Sequence, residues 1–277
     1  MTTETLQSLL LSCFRIAIAV YLVLGIGMFV FQRQLLYFPD KQVFDIKSFG
    51  VTKPFEVIAV PVDGAVTVRS WYQPPTAENK PVVVLFHGNA GSWGMRSQRI
   101  MPRLAAGYGV ALVGYPGFEG NPGKPTEATI YRSGRGVIQA LGQRGIAPER
   151  IILHGESLGT TVAVQMATEF LVAAVSLEAP PASMALVGAY HYPIYPVQYM
   201  VWDKFDSLSK IKNVKSPLLI IHGEADTVVP VAQGKALFAA ANEPKEALFV
   251  PGAGHGCDLC SLAVEYRLHE FYGRHVP

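Results

Sequence analysis

"RIILHGESLGTTVAVQMATEF", residues 150–170, passes from a continuous apolar run through a tight Gly-x-Ser-x-Gly turn into a helical pattern. The apolar run is typical of a strand buried on both faces, and the stretch after the turn predicts a helix. Gly155 and Gly159 lack Cβ atoms, so strand and helix can approach closely around Ser157. Such a strand–turn–helix unit holds a serine in a strained turn with its hydroxyl exposed, as a nucleophile requires. The alternative is a glycine-rich turn without chemistry.

Seven further apolar runs accompany this strand, and helical stretches separate most of them. "FEVIAVPV" and "VTVRSWYQ" flank Asp63-Gly64, a turn signal, and therefore predict an antiparallel opening pair. The remaining runs are "PVVVLFHG", "VALVGYPG", "AAVSLEAP", "PLLIIHG" and "EALFVPG". Strands that alternate with helices predict an α/β fold, with a mostly parallel eight-stranded sheet and helices on both faces. The predicted helices lie near residues 97–105, 125–144, 160–170, 232–241 and 258–272.

Residues 182–215 interrupt this alternation, because no clean strand occurs there. Their central part, "YHYPIYPVQYMVW" (residues 190–202), is rich in tyrosine and follows no helical period. Insertions at the carboxyl edge of a parallel sheet sit where ligands usually bind, so we expect a small cap over the site. The alternative is an aromatic patch of ordinary core. His191, Tyr192 and Trp202 are the candidate pocket residues of the cap.

The loop "YPGFEGNPGKPTE", residues 115–127, follows the fourth predicted strand and reaches the same edge of the sheet. Glycine and proline make up six of its thirteen residues, which is typical of a loop without regular structure. We expect it to form a wall of the pocket or to lead into the next helix. Tyr115 at its start is the fourth candidate pocket residue.

The N-terminal part contains an uncharged run, "IAIAVYLVLGIGMFVF" (residues 16–31), bracketed by Arg15 and Arg33. A bilayer span needs about 17–25 residues, and flanking arginines can extend a slightly short run by reaching the interface. A cleaved signal peptide and a soluble hydrophobic helix are the alternatives, although no Ala-x-Ala-like cleavage site follows the run. The sequence therefore predicts an N-terminal transmembrane helix.

This prediction divides the chain into a membrane anchor (residues 1–33), a linker (34–54) and a catalytic domain (55–277). "FQRQLLYFP", residues 31–39, is expected to form an aromatic collar at the membrane interface. Basic residues are more frequent after the apolar run than before it, which favours a cytoplasmic catalytic domain by the positive-inside rule.

The composition excludes several classes of protein. Of the 277 residues, 50% are hydrophobic and 16% are charged, which argues against disorder. The net charge of +2, without a run of Lys or Arg, gives no reason to expect a nucleic-acid partner. Cys257-x-x-Cys260 allows a redox pair, half of a metal site or a disulfide. Since neither a preceding strand nor a second ligand pair is evident, we expect ordinary helix residues and no metal or cofactor.

A reactive serine needs a base and an orienting acid, which in such a sheet follow in the order Ser, Asp or Glu, His. Asp226 comes just after the strand "PLLIIHG", and His255 comes just after "EALFVPG". Because the carboxyl ends of parallel strands meet at one edge, both side chains should reach Ser157. We expect His255 Nε2 to take the serine proton and Asp226 to hold the Nδ1–H tautomer. Glu156 falls outside this order.

Other acidic and histidine side chains compete for these roles. Glu224 precedes Asp226 by two residues, but the turn directs the later residue across the sheet edge. Asp258 is expected to cap or begin the last helix. Two more aspartates, Asp203 and Asp206, lie in or near the predicted cap. The histidines that end strands are expected to bond to backbone, namely His87, His154 and His222.

The third requirement is an oxyanion hole made of backbone N–H groups. One donor should be Leu158, directly after the proposed nucleophile. The other should come from "HGNAGS", residues 87–92, whose small residues allow the backbone to approach a ligand. We expect Asn89 to be this second donor, with Ala90 as the alternative.

Taken together, "HGNAGS", "YPGFEGNPGKPTE", "GESLG", "SPLLIIHGEADTVVP" and "GAGHG" resemble motifs of the α/β-hydrolase superfamily. The resemblance is strongest to its Bem46-like branch, which includes membrane-associated serine hydrolases such as α/β-hydrolase domain-containing proteins 13 and 17. It covers nearly all of the chain from about residue 30. It implies a serine hydrolase of esters, thioesters or amides with Ser157, Asp226 and His255 as triad. The cysteine pair in "HGCDLC" and the residues of loop 115–127 depart from the family pattern.

These features predict a membrane-anchored hydrolase that cleaves carboxylic esters or thioesters through an acyl-enzyme. The anchor and the aromatic cap suggest a lipid-like or acylated substrate. An amidase or peptidase of the same fold is one alternative, and a catalytically silent scaffold held at the membrane is another. The oligomeric state is not indicated by any feature of the sequence.

Overall fold

The computed structural model of the chain describes residues 3–43 and 55–276. In this part of the chain, eight strands form the main sheet: β1 (Glu56–Asp63), β2 (Val66–Gln73), β3 (Val82–Phe86), β4 (Gly109–Leu112), β5 (Ile151–Glu156), β6 (Ala174–Glu178), β7 (Leu218–Gly223) and β8 (Lys245–Val250). Their order across the sheet is β8-β7-β6-β5-β3-β4-β2-β1. β1 pairs with β2, and β2 with β4, in antiparallel fashion, whereas the other neighbours are parallel. The predicted strands and the mostly parallel sheet are confirmed.

The helices of the described residues are α1 (Thr3–Val30), α2 (Gln32–Leu36), α3 (Ser97–Ala105), α4 (Glu127–Gln143), α5 (Leu158–Glu169), α6 (Met184–His191), α7 (Val197–Met200), α8 (Ser207–Lys210), α9 (Val231–Ala240) and α10 (Leu262–His275). Apolar side chains of α4, α5 and α9 join one core layer, and those of α3 and α10 join the other. Helices therefore cover both faces of the sheet, as predicted.

The central strand β3 shows why these strands are apolar throughout. Successive side chains of a strand point to opposite faces. Val82 and Val84 accordingly lie in the core layer of α4 and α5, whereas Val83 and Leu85 lie in that of α3 and α10. Because both faces are buried, a polar residue at any of these positions would lose its water without gaining a partner.

The end of the chain differs from the prediction. A 3-10 helix spans Gly256–Leu259, and α10 begins only at Leu262, after Ser261, whose side chain accepts from the Val264 N–H. Asp258 does not cap this helix, because its Oδ2 accepts a hydrogen bond from the Gly254 N–H at 2.8 Å.

The cysteine pair was also wrongly predicted. Cys257 and Cys260 form a disulfide and are not ordinary helix residues. In a 3-10 helix, side chains at positions i and i+3 lie almost above one another. The resulting Cα–Cα distance of 4.7 Å is within the range that a disulfide can bridge.

The N-terminal helix α1 is long and apolar enough to cross a membrane, by length and composition. It begins well before the predicted apolar run, so Arg15 lies inside it. Part of the segment predicted as a collar and linker packs on the domain: Tyr37 is buried, and Phe38–Pro39 pair in parallel with Ala90–Gly91. Residues 44–54 of the predicted linker lie outside the described residues.

The cap predicted for residues 182–215 contains α6, α7 and α8, between β6 and β7. Ser183 caps α6 by accepting from the Leu186 N–H, and Asp206 caps α8 by accepting from the Ser209 N–H. Several large apolar side chains of the cap are exposed, among them Tyr190, Ile194, Tyr199 and Trp202. The cap is therefore a separate small layer at the carboxyl edge of the sheet, and the alternative of ordinary core is wrong.

Candidate active site

Ser157 occupies the sharp turn between β5 and α5, with φ 51° and ψ −121°. A positive φ is strained for a residue with a side chain, and such strain persists only where the surroundings enforce it. Here the Ser157 N–H donates to the Glu178 carbonyl oxygen at 2.8 Å. A Cβ at Gly159 would overlap the Phe86 carbonyl oxygen, and one at Gly155 would overlap the Thr160 backbone. Both glycines are thus required for the tight turn that exposes the hydroxyl.

His255 and Asp226 reach Ser157 from the loops after β8 and β7. The distance from His255 Nε2 to Ser157 Oγ is 3.0 Å, and that from His255 Nδ1 to Asp226 Oδ2 is 2.7 Å. The Asp226 side chain is fully buried, whereas the His255 side chain is 22% exposed. With Nδ1–H donating to the carboxylate, Nε2 is free to accept the serine proton. The structure therefore brings the three predicted triad residues into one hydrogen-bonded chain.

Other groups besides His255 also hold the Asp226 carboxylate. Its Oδ1 accepts from the Val228 and Val229 N–H groups, both at 2.8 Å. His222 Nε2 lies 3.3 Å from Oδ2 and 2.8 Å from the Val229 carbonyl oxygen. Burial alone would raise the pKa of Asp226, but the hydrogen bonds from His222, His255 and Val229 outweigh it and hold that pKa well below its ordinary value. The acid that orients His255 therefore stays ionised.

Sequence reasoning missed this second role of His222. The predicted backbone contact exists, but the same Nε2 also contacts Asp226. The signal was the four-residue spacing in "HGEAD", which carries the chain from the end of β7 back over the histidine ring. His222 is therefore part of the support of the triad and more than a strand-end residue.

The loop predicted to supply the second oxyanion donor lies against the serine. A Cβ at Gly88 would be 3.4 Å from Ser157 Cβ, and Asn89 and Ser157 line the same cavity. The Leu158 N–H is the first of α5, so it has no acceptor within the helix. Ala90, the alternative donor, is exposed and lies in the short pair with Phe38. Asn89 and Leu158 remain the predicted donors.

A cavity of about 450 Å³ opens at Ser157, within the usual size range of small-molecule sites. The predicted pocket residues His191 and Tyr192 line it, but Tyr115 and Trp202 do not. Tyr115 is wholly buried, with its ring 4.0 Å from that of His87, because the chain turns inward after β4. Trp202 lies outside the cavity and packs edge-on against Phe29.

One wall of the cavity comes from the N-terminal segment, which sequence reasoning did not assign to the pocket. The lining residues from α1, α2 and the following strand are Met28, Phe29, Gln32, Arg33, Leu35, Leu36 and Phe38. The residue types of this segment are typical of a membrane helix as well as of a ligand cavity. Only the docking of this segment on the cap shows that they face a ligand cavity.

Charged side chains form a buried cluster beneath the serine turn, and Glu156 is one of them. Its carboxylate lies 3.1 Å from Arg96 and 3.3 Å from Arg99. Arg99 also contacts Glu178 at 2.5 Å, and His154 Nε2 lies 3.2 Å from that carboxylate. Burial alone would raise the pKa of Glu178, but the Arg99 charge and the contact with His154 outweigh it and lower that pKa to about 2. His154 thus bonds to side chains and not to backbone as predicted, while Glu156 serves the support of the turn.

The loop 115–127 supports the oxyanion loop from inside the core and does not line the cavity. Glu119 is wholly buried, accepts from the Trp93 N–H at 3.2 Å and lies 3.7 Å from His87 Nε2. At its other end, Thr126 caps α4 in a capping box with Thr129. The loop therefore leads into the next helix, and the alternative of a pocket wall is wrong.

Replacing Glu119 by glutamine should stabilise the domain at neutral pH. Burial raises the pKa of Glu119 from 4.5 to about 8, so the folded state keeps a proton that the unfolded state releases. The free energy of unfolding should therefore fall as the pH rises from about 4.5 to 8. At pH 7 it should be about 3 kcal/mol lower than below pH 4.5, where both states bind the proton. The neutral amide of the Glu119→Gln protein carries no such cost. Thermal unfolding of both proteins at pH 5 and pH 8 measures the difference.

The matched control is Glu149→Gln, because Glu149 is exposed. This change should leave the pH dependence of unfolding as in the wild type. A Glu119→Gln protein that is less stable than the wild type at pH 8 would contradict the assignment of a neutral, buried carboxyl group.

Known proteins resemble this chain in both sequence and fold. Residues 135–273 match the family model described as the Prolyl oligopeptidase family. Uncharacterized protein Rv2307c of Mycobacterium tuberculosis is 37% identical over 244 residues, which are 87% of this chain and 86% of that protein. Human alpha/beta hydrolase domain-containing protein 17B is 37% identical over 180 residues, 64% of this chain and 61% of that protein. The chain thus spans about three fifths of the human relative.

Among solved structures, the esterase Pf2001 of Pyrococcus furiosus superposes with a TM-score of 0.72 at 19% identity, over 87% of this chain and 98% of that one. At this identity the likeness shows the fold alone. The alpha/beta hydrolase relatives in sequence and the family model that matches residues 135–273 show, together with this fold, that the chain belongs to the α/β-hydrolase superfamily.

Proposed function

We propose that this hydrolase cleaves carboxylic esters or thioesters through a Ser-His-Asp triad and an acyl-enzyme. The observation that carries the proposal is the hydrogen-bonded chain Ser157–His255–Asp226 at a cavity, with the serine in a strained turn. A silent scaffold has no need to maintain a positive φ at Ser157, and this strain favours an enzyme over that alternative.

In the proposed reaction, Ser157 Oγ attacks the acyl carbon and its proton passes to His255 Nε2. The Leu158 and Asn89 N–H groups stabilise the developing oxyanion. His255 then gives its proton to the leaving alcohol or thiol, and the acyl group stays on Ser157. A water molecule, deprotonated by His255, attacks the acyl-enzyme and releases the acid. Asp226 holds the imidazole in position through both steps.

The substrate is proposed to be lipid-like or acylated, and α1 is proposed to anchor the chain in a membrane. Support comes from the length and composition of α1 and from the largely apolar cavity. The positive-inside rule favours a cytoplasmic catalytic domain. The apolar residues that line the cavity from the cap and from the loop after β7 are Met184, Val187, Val197, Met200, Val201, Val228 and Val229.

The identity to human protein 17B supports a place in the Bem46-like branch. The match to the Prolyl oligopeptidase family favours amide or peptide hydrolysis as a second candidate function. The two candidates differ in the leaving group, since an amine must be protonated before it departs. Rates for matched p-nitrophenyl esters, thioesters and acyl-p-nitroanilides separate them. Anilide rates equal to the ester rates would favour the amidase.

Labelling with a fluorophosphonate tests the nucleophile directly. The full-length protein should be labelled, and Ser157→Ala should abolish the label because it removes the hydroxyl that the probe modifies. Ser209→Ala is the control, since Ser209 is exposed, and it should be labelled like the wild type. A folded wild type that resists labelling would refute the proposed function.

A further inference from the structure

The second half of α1 is fixed to the cap by aromatic contacts. The rings of Tyr21 and Tyr195 stack at 4.6 Å between centroids and 11° between planes. The Tyr21 hydroxyl donates to the Ile194 carbonyl oxygen at 2.9 Å, and the Tyr195 hydroxyl donates to the Tyr21 carbonyl oxygen at 3.2 Å. One turn further along α1, a Cβ at Gly25 would lie 3.1 Å from the Tyr195 ring. The small residue allows the close approach of helix and cap.

Polar contacts continue this interface through α2. Gln32 Nε2 donates to the Met200 carbonyl oxygen at 3.3 Å, while its Oε1 accepts from the Trp202 N–H at 2.7 Å. Arg33 donates to both carboxylate oxygens of Asp203, at 2.8 and 3.3 Å. Such a two-point contact fixes orientation as well as distance. The interface therefore has a defined register, because directional polar contacts accompany its apolar ones.

The same segment then reaches the oxyanion loop. Asn89 Nδ2 donates to the Leu36 carbonyl oxygen at 2.8 Å, and the Phe38 N–H donates to the Asn89 carbonyl oxygen at 2.9 Å. Leu36 thus marks the catalytic end of the segment. Met28 lies eight residues earlier, roughly two helical turns away, and lines the same cavity. From this separation we infer that Met28 lies at the end of the cavity far from Ser157.

We propose that α1 and α2 form the acyl-chain-binding wall of the active site, so that the anchoring segment also sets the preferred acyl chain length. This inference rests on the proposed function. The wall is apolar at Met28, Phe29, Leu35 and Leu36, and the cap lines the same cavity with Val187 and Val197. Each methylene that the cavity buries should raise kcat/KM about fourfold, until the chain reaches the Met28 end.

Chain-length profiles test this wall in the full-length protein, reconstituted in phosphatidylcholine nanodiscs. The probes are p-nitrophenyl esters from acetate to dodecanoate. Met28→Trp should lower kcat/KM for dodecanoate at least tenfold and affect acetate far less, because a short chain does not extend to residue 28. Met28→Ala should shift the preference towards longer chains. A Met28→Trp profile lowered equally at all lengths would indicate a structural role and overturn the proposal.

Val23→Trp is the matched control, because Val23 lies on α1, is 67% exposed and does not line the cavity. Its profile should equal that of the wild type. Binding of dodecanoate to the Ser157→Ala protein gives a second readout without turnover, and Met28→Trp should weaken it at least tenfold. If Met28→Trp and Val23→Trp give the same results in both measurements, the proposed acyl-chain-binding wall is refuted. Specific weakening of dodecanoate binding in a protein without esterase activity would support the wall and refute the proposed function.

Discussion

Replacing Ser157 by alanine should lower kcat for ester hydrolysis by about 10⁶-fold, the loss found when such a nucleophile is removed. The reason is that His255 then has no hydroxyl to activate at 3.0 Å from its Nε2. The remaining rate should come from attack of water on the bound ester, with the oxyanion donors stabilising the charge that develops on the carbonyl oxygen. Release of p-nitrophenol from p-nitrophenyl butyrate, with a background without protein subtracted, measures the change.

The backbone strain at Ser157 makes alanine the right substitution. Alanine keeps a Cβ at the positive φ and removes only the hydroxyl, so the turn and its Glu178 contact should persist. Circular dichroism should therefore show an unchanged fold. A Ser157→Ala protein that retains more than about one hundredth of the wild-type rate would show that another group is the nucleophile.

Asp226→Asn is also expected to have a large effect, with kcat lowered by about 10⁴-fold. In the wild type, the Asp226 carboxylate accepts from His255, His222 and two backbone N–H groups at once. An amide presents its own N–H to one of these donors, so the imidazole turns or changes tautomer. Its Nε2 can then no longer accept the serine proton. The measurement is kcat at pH 8, together with fluorophosphonate labelling rates.

Glu224→Gln is the matched control, because Glu224 was the competing acid in the same loop. It is exposed, and its carboxylate lies 3.8 Å from Lys235, away from the triad. Its kcat should stay close to that of the wild type, because this carboxylate faces Lys235 and not His255. Loss of activity in Glu224→Gln with a normal rate in Asp226→Asn would reverse the assignment.

His255→Ala should be as impaired as Ser157→Ala.

The sequence predicted the sheet well, because its five central strands, β3 to β7, are buried on both faces. The sequences of such strands are continuous apolar runs, and parallel pairing places their carboxyl ends together. Local pattern and the order of elements along the chain are therefore enough to predict that Ser157, Asp226 and His255 lie at one edge of the sheet.

The errors share a physical origin in side-chain direction and docking. Tyr115 follows a strand at the correct edge, but its ring turns inward onto His87. The cysteines adopt a 3-10 turn that composition does not distinguish from the start of a helix. The apolar pattern of α1 is the same for contact with lipid and for contact with a substrate. Each outcome depends on contacts between distant parts of the chain.

The stacked pair Tyr21–Tyr195 and the Arg33–Asp203 contact have a mechanical consequence. An enzyme on a loose tether can swing and sample bonds at many distances from a bilayer. With α1 in a membrane, as proposed, the cap would be fixed at two points, to α1 at Tyr21 and to α2 at Arg33. We then expect Ser157 to stay at a fixed height above the bilayer, so that the enzyme would select a bond by its distance from the lipid surface as well as by its chemistry.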